Sequence, residues 1–154
     1  PTNLYGYNDN FDLKSSHVIP AMIRKFHEAK LDNHNTVTLW GSGTVKREFL
    51  FVDDLATAVV HALENKLPGH LYNVGTGTDV TIKTLAKTIQ KIIGHKGNII
   101  WDSSKPDGTP RKLMDVSKII AIGWRYKTEL EQGLKKTYDW FLNNPHNHKE
   151  NKLN

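Results

Sequence analysis

The chain has 154 residues, of which 38% are hydrophobic and 24% are charged, with a formal net charge of +5 and no cysteine. This composition is too apolar for a generally disordered protein, and the length suits one domain with one core. The lack of cysteine excludes disulfides and thiolate metal sites and is compatible with a cytoplasmic location. No apolar run approaches the roughly 20 residues of a membrane helix, so we expect a soluble protein without a membrane partner.

The positive charge is compatible with two classes of anionic partner. Lysines and arginines are spread along the chain rather than gathered into one block, so the charge fits an anionic small molecule as well as a nucleic acid. The chain opens on "PTNLYG", without an initiator methionine and with the Pro, Asn and Gly of a turn. We therefore expect an excerpt from a longer protein.

The first predicted helix is amphipathic and covers about positions 20–29. Pro20 is tolerated in the first turn of a helix, and Ser15 or Ser16 is available as a cap. This prediction places His17 at or just before the start of the helix.

Two strands and a second helix are predicted next. "TVTLW" (36–40) and "REFLFV" (47–52) have the composition of strands. Asp53 or Asp54 is then expected to cap a helix through "LATAVVHALEN". A further strand is predicted in "HLYNV" (70–74).

The remaining elements continue the alternation of strands and helices. An apolar stripe that starts at Ile82 predicts a helix ended by Gly94, and "NIIWD" (98–102) is a short predicted strand. Thr128 and Glu131 fit a capping box at the start of the last helix. Strands that alternate with helices favour an α/β fold.

Two glycine pairs are candidates for a dinucleotide loop, which requires G-x-G-x-x-G between a strand and a helix. In "GSGTVK" (41–46) a lysine takes the place of the third glycine, and another predicted strand follows. In "GTGTDV" (75–80) a helix follows, but a valine stands in the third position. We interpret both as turns at strand ends.

Five segments together resemble the C-terminal half of the GDP-L-fucose synthase family. They are "PTNLYG", "SSHVIPAMIRKFHEA", "WGSGTVKREFLFVDDLA", "NVGTG" and "SKPDGTPRKLMDVSK", with "SSHVIP" and "KPDGTPRKL" the most specific parts. The resemblance runs from Pro1 to about Asn144. Members of this family are extended short-chain dehydrogenases/reductases that convert GDP-4-keto-6-deoxy-D-mannose to GDP-L-fucose by 3,5-epimerisation and NADPH-dependent reduction.

The resemblance implies an α/β fold in which residues 1–144 form the end of an NADP-binding Rossmann fold and a smaller, mainly substrate-binding domain. Residues 145–154 are expected to be a polar tail. For the intact enzyme the resemblance implies NADP as cofactor, a GDP-sugar as substrate and a homodimer, with no nucleic acid and no membrane as partner. The family's Tyr-x-x-x-Lys pair does not occur in the 154 residues, so we expect that this chain alone cannot reduce a keto sugar.

The resemblance also identifies candidate site residues. The residues that match cofactor-binding positions are Pro1, Thr2, Asn3, Leu4 and His17. The residues that match substrate-binding positions are Lys25, Trp40, Arg47 and Asp107. His17 also matches a catalytic histidine, which we expect to return a proton to carbon during epimerisation, because imidazole can hold or release a proton near neutral pH. The histidines show no spacing that predicts a metal site.

Three of the substrate-site residues also have a simpler interpretation. Arg47 presents a planar fork that suits a diphosphate, but an isolated arginine usually forms a surface ion pair with a neighbouring acid. Trp40 is equally compatible with a core position at the end of a strand, and Asp107 with a Pro-Asp-Gly turn. Lys25 stands where the family usually has arginine, so a bidentate contact would become a point charge.

Two other functions remain open at this stage. The first is another GDP-4-keto-deoxysugar enzyme, for instance one that makes colitose or a modified heptose, and identification of the product would separate it. The second is a non-catalytic nucleotide-sugar-binding module or a basic nucleic-acid-binding domain. Nucleic-acid binding would weaken steeply with salt and would not respond to GDP.

Overall fold

The computed structural model describes residues 1–65, 67–69 and 71–144. Within these ranges the strands are β1 (Asn3–Tyr5), β2 (Thr36–Trp40), β3 (Lys46–Phe51), β4 (Asp79–Thr81), β5 (Asn98–Asp102) and β6 (Arg111–Lys112). The helices of the same ranges are α1 (Val18–Leu31), α2 (Val52–Glu64), α3 (Ile82–Ile93), α4 (Ser117–Ala121) and α5 (Leu130–Asn143). None of these described helices is both long enough and apolar enough to cross a membrane.

The strands form two small sheets. β3 is parallel to β1 and β6 and antiparallel to β4, whereas β2 and β5 form a separate parallel pair. The register sets Arg47 of β3 opposite Val80 of β4 and Lys112 of β6. In the second sheet Trp40 stands opposite Asp102, at the last residue of each strand. The loop that follows β5 therefore begins beside Trp40.

The main core lies where α1, α3 and α5 pack against the sheets. Phe26, Leu85 and Phe141 contribute one fully buried side chain from each helix. The apolar stripe of α3 is continuous because its buried positions recur at helical spacing, as the sequence predicts. A second, smaller cluster packs Leu50 of β3 and Ala58 of α2 against the segment that contains α4.

The predicted helices are all present, but most of their predicted caps are wrong. His17 is the N-cap of α1 without a side-chain cap hydrogen bond, and neither Ser15 nor Ser16 caps the helix. Ser15 instead donates its hydroxyl to Asp12 in the preceding turn. α3 is the exception, since Gly94 ends it as predicted, in the left-handed conformation with φ of 77°. Its N-cap, Thr81, was not predicted from the sequence.

The aspartates and the capping box are also used differently from the prediction. Asp53 and Asp54 lie inside the first turn of α2 rather than at its cap. Asp54 is buried and accepts the backbone N–H groups of Lys127 and Thr128 at 2.9 and 3.0 Å. Thr128 is therefore not the N-cap of α5, and Glu131 forms an ion pair with Lys91 instead of completing a capping box.

The predicted strand at 70–74 is wrong over its described residues, because 71–74 are not in a strand. This segment makes single hydrogen bonds rather than a ladder: Val74 accepts the N–H of Thr2, and the Asn73 amide donates to the Asp115 carbonyl. Position 70 and the predicted polar tail at 145–154 lie outside the described residues. The short elements β1, β4, β6 and α4 have no counterpart in the sequence prediction, because two to five residues carry too little periodicity to detect.

Candidate functional site

The start of α1 and the strand β1 border one cavity of about 590 Å³. Thr2, Asn3 and Leu4 line it from β1 and the residue before it, and His17 lines it from the N-terminus of α1. These are four of the five residues that the sequence predicts at the cofactor. Pro1, the fifth, is exposed and is not among the described lining residues.

Hydrogen bonds attach the β1 side of this cavity to β3. The Thr2 hydroxyl and the Asn3 amide both donate to the carbonyl of Glu48, at 3.2 and 2.8 Å. Their side chains therefore position the strand, while Leu4 remains 36% exposed. The wall thus offers backbone groups and an apolar side chain to a ligand, rather than the amide of Asn3.

Asp9 lies in the loop before α1 and lines the same cavity as His17. It is half-buried, and burial raises the pKa of its carboxyl, while the N–H of Asn10 and the charge of His17 act in the opposite direction. Asp9 was not among the site residues predicted from the sequence. A hydrogen bond attaches this loop to α1: the buried Arg24 donates to the carbonyl of Phe11 at 3.2 Å.

A second cavity of about 220 Å³ adjoins the first and brings the predicted substrate residues together. Trp40, Arg47 and Asp107 line it, although they come from β2, β3 and the loop after β5. Asn3, Val18 and Phe49 line both cavities, so the two are neighbours that share a wall.

Arg47 does not pair with the acid that follows it. Its guanidinium Nη1 donates to the carbonyl of Lys46 at 2.7 Å. Glu48 is fully buried, and its carboxylate accepts the backbone N–H groups of Thr76, Gly77 and Met114 at 2.6 to 3.0 Å. The simpler interpretation of Arg47 as an ion pair with a neighbouring acid is therefore wrong within the described residues.

Asp107 holds the glycine turn that follows β2. Its Oδ1 atom accepts the N–H of Ser42 at 2.7 Å. Gly41 has φ of 79°, and an added Cβ would overlap the Asp107 carboxylate. Hydrogen bonds from Ser42, followed by the charge of Arg47, lower the pKa of Asp107. The glycine turn therefore packs against this carboxylate. It is a turn at the end of a strand and not a phosphate-binding loop.

Trp40 is a surface residue, because 67% of it is exposed. Lys25 reaches it from α1: the ammonium lies 5.8 Å from the centre of the ring and donates to the carbonyl of Thr38 at 3.1 Å. Burial lowers the pKa of Lys25. All four predicted substrate residues therefore lie at this second cavity or directly beside it.

Lys105 is a neighbour of this site that was not predicted from the sequence. Its ammonium lies 5.6 Å from the centre of the Trp40 ring. The available signal was its position two residues before Asp107 in "KPDG".

Comparison with known proteins identifies the family. A model of the NAD dependent epimerase/dehydratase family matches residues 1–75. GDP-L-fucose synthase from Escherichia coli (strain K12) is 54% identical in an alignment of 154 positions that covers 94% of this chain and 48% of that protein. This chain belongs to the NAD dependent epimerase/dehydratase family. GDP-L-colitose synthase from Yersinia pseudotuberculosis is 43% identical over 149 residues, 96% of this chain and 48% of that protein.

A solved structure of the same family has a similar fold. The GDP-L-fucose synthetase from Naegleria fowleri bound to NADP has a TM-score of 0.89 at 30% identity, covering 97% of this chain and 47% of that one. The predicted α/β fold, as a part of an extended short-chain dehydrogenase/reductase, is therefore confirmed. This chain spans about half the length of the relatives that it matches.

Proposed function

We propose that residues 1–144 are the C-terminal, mainly substrate-binding half of a GDP-L-fucose synthase. The intact enzyme converts GDP-4-keto-6-deoxy-D-mannose to GDP-L-fucose by 3,5-epimerisation and NADPH-dependent 4-reduction. The observation that carries this proposal is that the cavity of His17 and the cofactor-matching strand shares a wall with the cavity of Trp40, Arg47 and Asp107. Identity of 54% to the enzyme from Escherichia coli supports it.

On the substrate side, Arg47 binds the diphosphate of the GDP-sugar. Its guanidinium has a single neutral acceptor among the described residues, the carbonyl of Lys46, and a fork of this kind suits phosphate oxygens. Trp40 offers an exposed apolar face beside it, and Lys25 adds a positive charge above the ring. Asp107 keeps the turn in place and adds an acceptor for the sugar or the base.

His17 returns a proton to carbon during epimerisation. A ketone at C4 acidifies the hydrogens at C3 and C5, so each inversion requires one group that removes a proton and one that returns a proton on the opposite face. The His17 ring is exposed at the start of α1 and makes no side-chain cap hydrogen bond, so it is free to approach a sugar in the first cavity. The second group comes from the rest of the enzyme.

NADP fits the residues of the first cavity at its nicotinamide end. When bound, NADPH supplies the hydride that reduces C4. Leu4 gives an exposed apolar surface for a flat ring, while Thr2 and Asn3 hold the strand by their bonds to Glu48. Pro1 precedes this strand and would extend the same wall. By resemblance to its family, the intact enzyme is a cytoplasmic homodimer.

The test is to supply the intact enzyme with GDP-4-keto-6-deoxy-D-mannose and NADPH and to identify the product by NMR. GDP-L-fucose is the expected product, and reactions without NADPH or without the sugar are the controls. The match to a GDP-L-colitose synthase favours a related keto-deoxysugar as the second candidate. Failure to turn over this substrate while another GDP-keto-sugar is reduced would replace the first proposal by the second.

A further inference from the structure

Two lysine ammonium groups approach the same exposed tryptophan from different elements. Lys25 reaches Trp40 from α1 and Lys105 reaches it from the loop after β5, with distances of 5.8 and 5.6 Å to the centre of the ring. The negative face of the ring attracts each ammonium group. Two like charges near one ring also repel each other, so this arrangement favours the arrival of an anion.

The loop that carries Lys105 is held in place from its base. The carbonyl of Asp102 accepts the N–H groups of Gly41 and Lys105, at 2.9 and 3.2 Å. The Asp102 carboxylate accepts both the N–H and the hydroxyl of Ser104, at 3.1 and 2.6 Å. Because Gly41 directly follows Trp40, these bonds attach the loop to the end of β2. Lys105 is therefore presented to Trp40 by a fixed turn.

Positive charge exceeds negative charge around this ring. The cations are Lys25, Lys105 and Arg47, and the nearby carboxylates are those of Asp102 and Asp107. Each carboxylate already accepts hydrogen bonds from a serine, which are the first cause of its lowered pKa. The ion pairs found among the described residues use other cations: they are Arg24–Glu28, Lys91–Glu131, Arg111–Asp79 and Lys135–Asp139. An anionic ligand would balance the remaining charge.

We propose that Lys105 is a further substrate-binding residue, whose ammonium contacts the diphosphate of the GDP-sugar together with Arg47. This inference rests on the proposed function, which supplies the diphosphate. Lys105 is exposed and belongs to a turn fixed by backbone bonds, so its side chain adds charge to the site without supporting the fold. A contact with the guanine base would use the same ammonium differently, as a donor to ring acceptors.

The experiment compares Lys105→Met with the unchanged intact enzyme, with GDP and guanosine as ligands in calorimetry or competition assays. We expect GDP to bind about 10-fold more weakly to the variant, since a hydrogen bond to a charged group is lost. Guanosine binding should change by less than about 2-fold, and GDP binding should become less sensitive to salt. Lys105→Arg should retain GDP binding because it keeps the charge.

The matched control is Lys87→Met, which removes an exposed lysine from α3. It should leave GDP binding unchanged, and both Met variants should keep the melting temperature. Equal GDP binding by Lys105→Met and the unchanged enzyme would overturn the inference alone. An equal loss of affinity for guanosine and for GDP would also overturn the inference, because it would indicate a contact between Lys105 and the base. If the unchanged enzyme does not bind GDP at all, the proposed function fails and the inference with it.

Discussion

Arg47 and Glu48 are consecutive residues of β3 with opposite charges and opposite surroundings. Glu48 is fully buried, and three backbone N–H groups donate to its carboxylate. Arg47 lies at the second cavity and donates to the neutral carbonyl of Lys46. Since successive side chains of a strand point to opposite faces, one strand can deliver one charge to the interior and the other to a ligand.

The difference between the two residues separates support from binding. The Glu48 carboxylate joins the 76–77 turn and Met114 to β3, and its carbonyl receives the side chains of Thr2 and Asn3. The β1 wall of the first cavity is therefore attached to a residue whose buried side chain no ligand can reach. Substitution of a side chain with internal partners should lower the free energy of unfolding. Substitution of a side chain that faces a cavity should weaken ligand binding.

The largest effect is expected for His17→Asn in the intact enzyme. Loss of a general acid should slow epimerisation by about 10² to 10⁴-fold, whereas stability should persist because Asn is a good N-cap for α1. The measurement is deuterium entry at C3 and C5 in deuterium oxide, followed by NMR. His34→Asn, at an exposed position, is the control. Exchange and fucose formation at the unchanged rate would mean that His17 is not the acid.

Glu48→Gln should give the largest loss of stability. The amide presents an NH₂ group where a carboxylate oxygen now accepts a backbone N–H, so at least one buried donor loses its partner. We expect the free energy of unfolding to fall by about 2–4 kcal/mol in denaturant titrations. Glu64→Gln removes an exposed charge from α2 and should stay within about 0.5 kcal/mol. Equal stability of the two variants would contradict the structural role assigned to Glu48.

Arg47→Ala should produce the reverse pattern. We expect GDP-fucose binding to weaken by about 1.5–3 kcal/mol, since hydrogen bonds to a charged diphosphate are lost, while the free energy of unfolding changes little. Calorimetry of GDP-fucose measures the first quantity and denaturant unfolding the second. Arg125→Ala, at an exposed arginine that lines neither of the two cavities, serves as the control. An unchanged dissociation constant would remove Arg47 from the site.

The smallest effect is expected for Asp107→Asn and depends on pH. Hydrogen bonds from Ser42 lower the pKa of Asp107 in the folded protein. The ionised carboxylate therefore stabilises the fold at pH values above 3.8, its ordinary pKa. This stabilisation is lost as the pH falls through the lower pKa of the folded protein. The variant should melt no more than about 2 °C below the unchanged protein at neutral pH. The gap should close below about pH 4. A gap independent of pH would show that the charge of Asp107 does not contribute.

Local pattern was enough for much of the fold. The boundaries of β2 and β5 match the predicted segments, and α3 runs from the predicted first apolar residue to the glycine that ends it. The strand residues of β2 and β5 and the helical apolar stripe of α3 are local signals that neighbouring residues carry. The segments shared with a known family also identified the candidate site residues, which remain predictions of role although the structure brings most of them together.

Tertiary structure alone decided how individual polar groups are used. Asp54 accepts the N–H groups of Lys127 and Thr128, which follow it by 73 and 74 positions in the sequence. Glu48 accepts the N–H group of Met114, which follows it by 66 positions. Lys105 reaches Trp40 only because β2 and β5 are paired. Sequence patterns report spacing over a few residues, whereas a buried carboxylate takes whichever donors the packed chain brings to it. For this reason the sequence alone determined the main helices and strands, and the packing determined which charges support them.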